Sequence, residues 1–201
     1  MERMNTRTIS FTLMMGALGN ILFVISYYAG NLAPGIALDF SLMAVFIAGF
    51  YGGPMVGLIS GLFAGIMPGI MFGPLGMSSW LGLIGLPAGK ALTGLTTGII
   101  SKSLRIGKRK YPSLIAIPAT FLAYIPEGIY TYAYFAYLMP FFLGRGGPYI
   151  FIYYILPKAM GEIAIMSFLM AALIGNYGFS DFISRFFEKP FIPKFKTTKQ
   201  S

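Results

Sequence analysis

A chain of 201 residues that is 56% hydrophobic, 16% aromatic and only 10% charged, with a mean hydropathy of +0.73, cannot cover a water-soluble globule with polar side chains. With no Cys and no His, disulfides, thiol nucleophiles, imidazole bases and every Cys- or His-ligated metal site are excluded. The formal net charge of +9 is then read as membrane topology rather than as a nucleic-acid footprint.

A hydrocarbon core about 30 Å thick needs about 20 apolar helical residues to cross it. Runs bounded by charge, Pro or Gly predict an all-α integral membrane protein with six spans, taken in chain order as 9–28, 36–50, 54–72, 80–101, 112–143 and 149–176. The first is uncharged and is followed by no small-x-small cleavage site, so it is expected to be a retained span and not a removed signal peptide. The second is short and holds Asp39; the fourth holds Lys90. The fifth holds Glu127 and is too long for one upright span and too short for two; with Pro118, Pro126 and Pro140 it predicts a single kinked or tilted helix projecting beyond the lipid. The sixth holds Lys158 and Glu162.

Arg3 and Arg7 precede the first span, Lys102, Arg105, Lys108, Arg109 and Lys110 follow the fourth, and Arg185, Lys189, Lys194, Lys196 and Lys199 follow the sixth. Six spans place all of these on one face and leave Arg145 on the other, which predicts cytoplasmic termini in the cell membrane. Five spans would put Arg3 and Arg7 outside. Residues 1–178 are thus expected to be the membrane domain, and 179–201, with Pro190 and Pro193, a basic cytoplasmic tail contacting phospholipid rather than nucleic acid.

Gly49, Gly53, Gly57, Gly61, Gly65, Gly69 and Gly73 recur every fourth residue, and Gly85, Gly89, Gly94 and Gly98 repeat the device in the fourth span. Such stripes bring helix backbones together in lipid. They predict tight packing inside the bundle or a docking face for another membrane protein; the docking candidates are Gly57 and Gly61, with Thr12, Gly16 and Asn20 on one face of the first span.

Ionisable residues at membrane depth normally face a partner or an aqueous cavity. Counted from the outer ends, Asp39 lies about one turn in, Lys158 about two and a half and Lys90 about three, all in the external half, while Glu127 and Glu162 sit nearer mid-depth. Lys158 and Glu162 are four apart and either neutralise each other or contact a ligand. Tyr124, Tyr130, Tyr132, Tyr134, Tyr137, Tyr149, Tyr153 and Tyr154 crowd the same outer halves; some form an interfacial belt, but Tyr124, Tyr130 and Tyr154 reach deeper. Aromatic walls with a few charges predict a site for a flat, polar small molecule, formed by Asp39, Lys90, Tyr124, Glu127, Tyr130, Tyr154, Lys158 and Glu162. No continuous polar stripe crosses the membrane, which disfavours a self-sufficient channel. No cofactor, metal site or catalytic group is expected: the mid-depth carboxylates Glu127 and Glu162 are accompanied by no nucleophile motif.

The stretch Ala37-Leu38-Asp39-Phe40-Ser41, then Ala48-Gly49-Phe50-Tyr51-Gly52-Gly53-Pro54-Met55-Val56-Gly57, resembles the second-to-third-helix signature of the substrate-binding S components of energy-coupling factor (ECF) transporters, particularly the riboflavin-type branch. Six spans, cytoplasmic termini, the length and the segment Gly89-Lys90-Ala91-Leu92-Thr93-Gly94-Leu95 extend the resemblance over most of the chain. It implies a subunit that captures a vitamin or similar micronutrient outside and works with a transmembrane coupling subunit and a cytoplasmic ATPase pair. The absence of a Walker-type phosphate loop agrees with energy supplied by another subunit. Where the family's first helix carries two alanines four apart, this chain has Gly16 and Asn20, or Ala17 and Ile21, and 65–69 lacks the Lys-Asn of the riboflavin branch. The polar residue before a glycine-rich turn also resembles the membrane-sensing region of LytS-type histidine kinases, the alternative reading, although such sensors continue into long signalling domains.

Overall fold

The computed structural model describes residues 5–187 apart from Gly30, Pro34, Gly35 and Leu38, with backbone alone for 31–33 and 36–37. It is a helical bundle: α1 (Thr6–Ala29), α2 (Ser41–Gly52), α3 (Pro54–Ala64), α4 (Ile66–Phe72), α5 (Ser79–Leu104), α6 (Pro112–Ala133), α7 (Met139–Leu143), the single turn α8 (Pro148–Ile150), α9 (Leu156–Gly175) and α10 (Tyr177–Ser184). Between α1 and α2 a short antiparallel pair, β1 (Asn31–Ala33) and β2 (Ile36–Ala37), departs from the purely helical expectation. Five helical stretches are long and apolar enough to cross a membrane: Thr6–Ala29, Pro54–Phe72, Ser79–Lys108, Pro112–Leu143 and Pro148–Gly175.

The second predicted span differs. Helix α2 starts at Ser41 rather than at 36 and has 12 residues, a length of about 18 Å against a hydrocarbon core of about 30 Å. The strand pair, Asp39 and Phe40 stand in the chain where the first part of a full-length helix was expected.

Glycine spacing fixes how the helices pass. Along α3, α4 and α5 the close approaches run antiparallel: Gly53 and Pro54 against Gly98, Gly57 against Gly94, Gly61 against Lys90 and Ala91, Gly65 against Pro87, and Gly69 against Gly82 and Leu83. A Cβ on Gly57 would fall on the Gly94 carbonyl, and one on Gly94 on the Gly57 carbonyl. Helix α2 joins the same seam, a Cβ on Gly49 lying 2.6 Å from Thr97 Cβ. The reversal from α2 into α3 needs the positive φ of 82° at Gly53, followed by Pro54 at the first helical position.

Helix α1 packs on α3, and its polar residues serve the interior. Thr12 is buried, its carbonyl accepting from Ser60 Oγ at 3.0 Å. A Cβ on Gly16 would meet Phe63 Cβ at 2.5 Å. Asn20 donates through Nδ2 to the Phe63 carbonyl at 2.8 Å and accepts the Met67 N–H at 2.8 Å, satisfying backbone groups at the α3–α4 break beside Pro68. The five docking candidates Thr12, Gly16, Asn20, Gly57 and Gly61 each contact another helix of the same chain, the packing alternative of the two readings, with Asn20 only half-buried. The exposed side of α1 carries Leu13, Ile21 and Ile25.

Both described ends of the chain lie at one end of the bundle. Phe11 packs against Phe186 and Phe187, with ring centroids 5.3 and 5.0 Å apart. The Tyr51 hydroxyl, at the far end of α2, meets Ser180 Oγ at 2.8 Å. Residues 179–187, read from the sequence as the start of the basic tail, thus pack against the bundle. The physical reason is the apolar set Phe179, Ile183, Phe186 and Phe187 at helical spacing, which the surrounding cations outweighed in the sequence; residues 188–201 lie outside the described residues. A core of Phe11, Phe46, Phe50, Ile106, Met166, Met170 and Ile174 fills this half of the molecule.

Candidate functional site

The opposite half is hollow. A cavity of about 470 Å³ lies between the start of α2, the end of α4, the first half of α5, the second half of α6 and the start of α9, a size suited to a small organic ligand. Asp39, Lys90, Glu127, Lys158 and Glu162 all line it, together with Tyr124, Tyr130 and Tyr154. The eight residues picked out for a ligand site, which come from four separate predicted spans, are thereby brought together around one space.

A chain of polar contacts runs along its wall. Asp39 Oδ1 accepts the Ser41 N–H at 3.0 Å, capping the first turn of α2, and the Ser41 hydroxyl at 2.5 Å. Its second oxygen pairs with Lys90 Nζ at 2.5 Å, and Lys90 also donates to Ser41 Oγ at 2.6 Å. The Asp39 N–H in turn donates to Glu162 Oε1 at 2.5 Å, and Lys158 Nζ lies 3.4 Å from that same oxygen. Lys90 and Glu162 are both buried, which is tolerable at this depth only because each has a partner. The network joins α2, α5 and α9 through groups that no single helix could satisfy.

Glu127 stands apart. Its Oε2 accepts from the Thr93 hydroxyl, and it enters no ion pair among the described residues. Beside it α5 presents a bare backbone: a Cβ on Gly89 would sit 3.5 Å from Glu127 Oε1 and 3.5 Å from Tyr130 Cδ1, in ordinary contact. One turn earlier Gly85 receives the ring of Tyr134. Tyr130 and Tyr134 lie with ring centroids 6.3 Å apart, tilted by 41°. Two π-helical segments, Tyr134–Leu138 after α6 and Phe151–Ile155 before α9, flank the cavity, a distortion that re-aims side chains and is common near functional sites.

Sequence reasoning missed several members. Ser41 and Thr93 lie within the segments that carry the family resemblance, yet their roles as partners of Lys90, Asp39 and Glu127 depend on helix pairing that spacing alone does not give. In the sequence Tyr134 is one of a crowd of tyrosines with nothing to assign it to the site, and Gly85 and Gly89 belong to a small-residue stripe that suggests packing. Phe72, Met77 and Ser78, which close one side of the cavity, carried no signal. Tyr137, Tyr149 and Tyr153 point outward, as an interfacial belt would.

No protein-family model, no curated protein and no solved structure matches this chain. The functional reading rests on its own residues.

Proposed function

We propose that this chain is the ligand-capturing subunit of an ATP-driven importer of the ECF type, a multi-pass protein of the cell membrane that binds a vitamin-like small molecule from outside. In this reading the short α2 completes a sixth crossing together with the segment before it, and the termini face the cytoplasm. A transmembrane coupling subunit and a pair of cytoplasmic ATPases supply the energy, and the chain performs no catalysis of its own. The observation that carries the proposal is the cavity: it gathers charged and aromatic side chains at the end of the bundle away from the termini, and the other end is filled by apolar core. That is the layout of a capture site rather than of a channel. Arg7, Lys102, Arg105, Lys108, Arg109, Lys110 and Arg185 cluster towards the terminal end and support its cytoplasmic placement.

The test is uptake. Small molecules that copurify with the chain are identified by mass spectrometry, and their accumulation is measured in cells with and without ECF coupling proteins. Uptake that requires the coupling proteins is expected; full uptake by the chain alone overturns the reading. Reporter fusions after Met1 and Ser201 are both expected on the cytoplasmic side, and an external N terminus removes the six-span arrangement.

A further inference from the structure

The ledger of charge around the cavity does not close. Three carboxylates, Asp39, Glu127 and Glu162, face two ammonium groups, Lys90 and Lys158. Both ammonium groups are engaged with the other two carboxylates, Lys90 with Asp39 at 2.5 Å and Lys158 with Glu162 at 3.4 Å. Glu127 is left with a hydroxyl donor, Thr93, and an Oε1 that points towards the bare Gly89. A second group in the same wall is also incomplete. Tyr134 is 4% exposed, and its hydroxyl, beside Ser78, makes no hydrogen bond of ordinary geometry among the described residues. A buried polar group without a partner is costly unless something else supplies one.

Building on the capture reading, we propose that the ligand is a flat aromatic or heteroaromatic organic cation, its charged nitrogen on Glu127 and its ring among Tyr124, Tyr130 and Tyr134. Glu127 supplies the counter-charge in a site shielded from water, where an ionic hydrogen bond is strongest. The tyrosine faces add a second attraction for the same charge, since a cation near a ring face is drawn to its quadrupole. Gly89 leaves room for the ligand beside Glu127. An anion of the same shape gains nothing at Glu127 and finds both ammonium groups already paired.

The experiment uses three probes of one shape and different charge, benzylammonium, benzyl alcohol and benzoate, titrated calorimetrically into the full chain in lipid nanodiscs. Benzylammonium should bind at least about tenfold more tightly than benzoate, with benzyl alcohol between, because one charge-assisted hydrogen bond is worth that much. Glu127→Gln keeps an oxygen for the Thr93 hydroxyl and should bring the probes within about threefold of one another. Lys158→Met, which removes one of the two cations, should instead widen the preference, and it tests the idea independently if the Glu127 variant does not fold. Equal affinities, a preference for benzoate, or a cation preference that survives Glu127→Gln overturns the assignment of charge and leaves the capture reading standing. Binding by none of the three removes the aromatic-cation pocket. Capture itself fails on the separate uptake measurement.

Discussion

The Asp39–Lys90 pair offers the sharpest test of the site's architecture. Its side chains are 14% and 3% exposed, with Nζ to Oδ2 at 2.5 Å. At an effective dielectric near 20, that separation corresponds to about 6 to 7 kcal/mol of attraction. Desolvation costs several kcal/mol for each ion, so the pair contributes little in total, whereas removing one partner strands the other at a cost of about 3 to 5 kcal/mol. Lys90→Met leaves Asp39 with the Ser41 donors alone, and Asp39→Asn leaves Lys90 charged with Ser41 Oγ as its remaining described partner. Either single change should therefore lower the unfolding free energy by about 3 kcal/mol or more, measured by equilibrium denaturation in mixed micelles. The double variant should lie within about 1 to 2 kcal/mol of the parent, because the two neutral side chains leave no uncompensated charge. The bond to Glu162 is donated by the Asp39 backbone N–H, which every variant keeps, so the cycle reads the ion pair together with the Ser41 hydroxyl that both partners share. Single effects that simply add, with a coupling below about 0.5 kcal/mol, would refute the reasoning.

Three further outcomes follow from the same geometry. Gly57→Ala or Gly94→Ala drives a Cβ into the facing carbonyl and should cost about 1 to 3 kcal/mol by forcing α3 and α5 apart, whereas Gly89→Ala meets only contacts of 3.5 Å and should fold normally in thermal melts. Lys158→Met should destabilise the fold less than Glu162→Ala, because Glu162 also accepts the Asp39 N–H at 2.5 Å while Lys158 stands off at 3.4 Å; a Lys158→Met and Glu162→Gln double variant that folds well with unchanged ligand affinity would remove both from the binding wall. Asn20→Leu removes two bonds that satisfy the α3–α4 break and should cost about 2 to 4 kcal/mol in the micelle assay, where a near-neutral effect would show that other groups serve Phe63 and Met67.

Membrane location, the long helices and the glycine spacing were legible because each is a one-dimensional property: apolar length, charge position and a period of four. The ionisable residues were legible as a site for a related reason. In a bilayer a charge has few places to go, so Asp39, Lys90, Glu127, Lys158 and Glu162 announced a cavity before any helix pairing was known. What the sequence hid was two-body information. Periodicity shows that Gly57 is small but not that Gly94 faces it, and a hydroxyl at Thr93 gives no sign that it serves Glu127. Nor does spacing say which helix Thr12, Gly16 and Asn20 meet, since a small or polar face attracts a helix of the same chain as readily as one of a partner; here they meet α3 and the start of α4. The most consequential miss was the late start of α2. Residues 36–40 are apolar enough to read as helix, yet Asp39 caps Ser41 and its backbone N–H is spent on Glu162 rather than on a helical carbonyl. Had the helix begun at 36, that N–H would have been sealed in its own ladder and Glu162 would have lost its closest donor. The interrupted backbone is thus what allows α9 to be tied to the α2 entry, and with it the wall from which Glu127 alone is left facing the cavity without a cation.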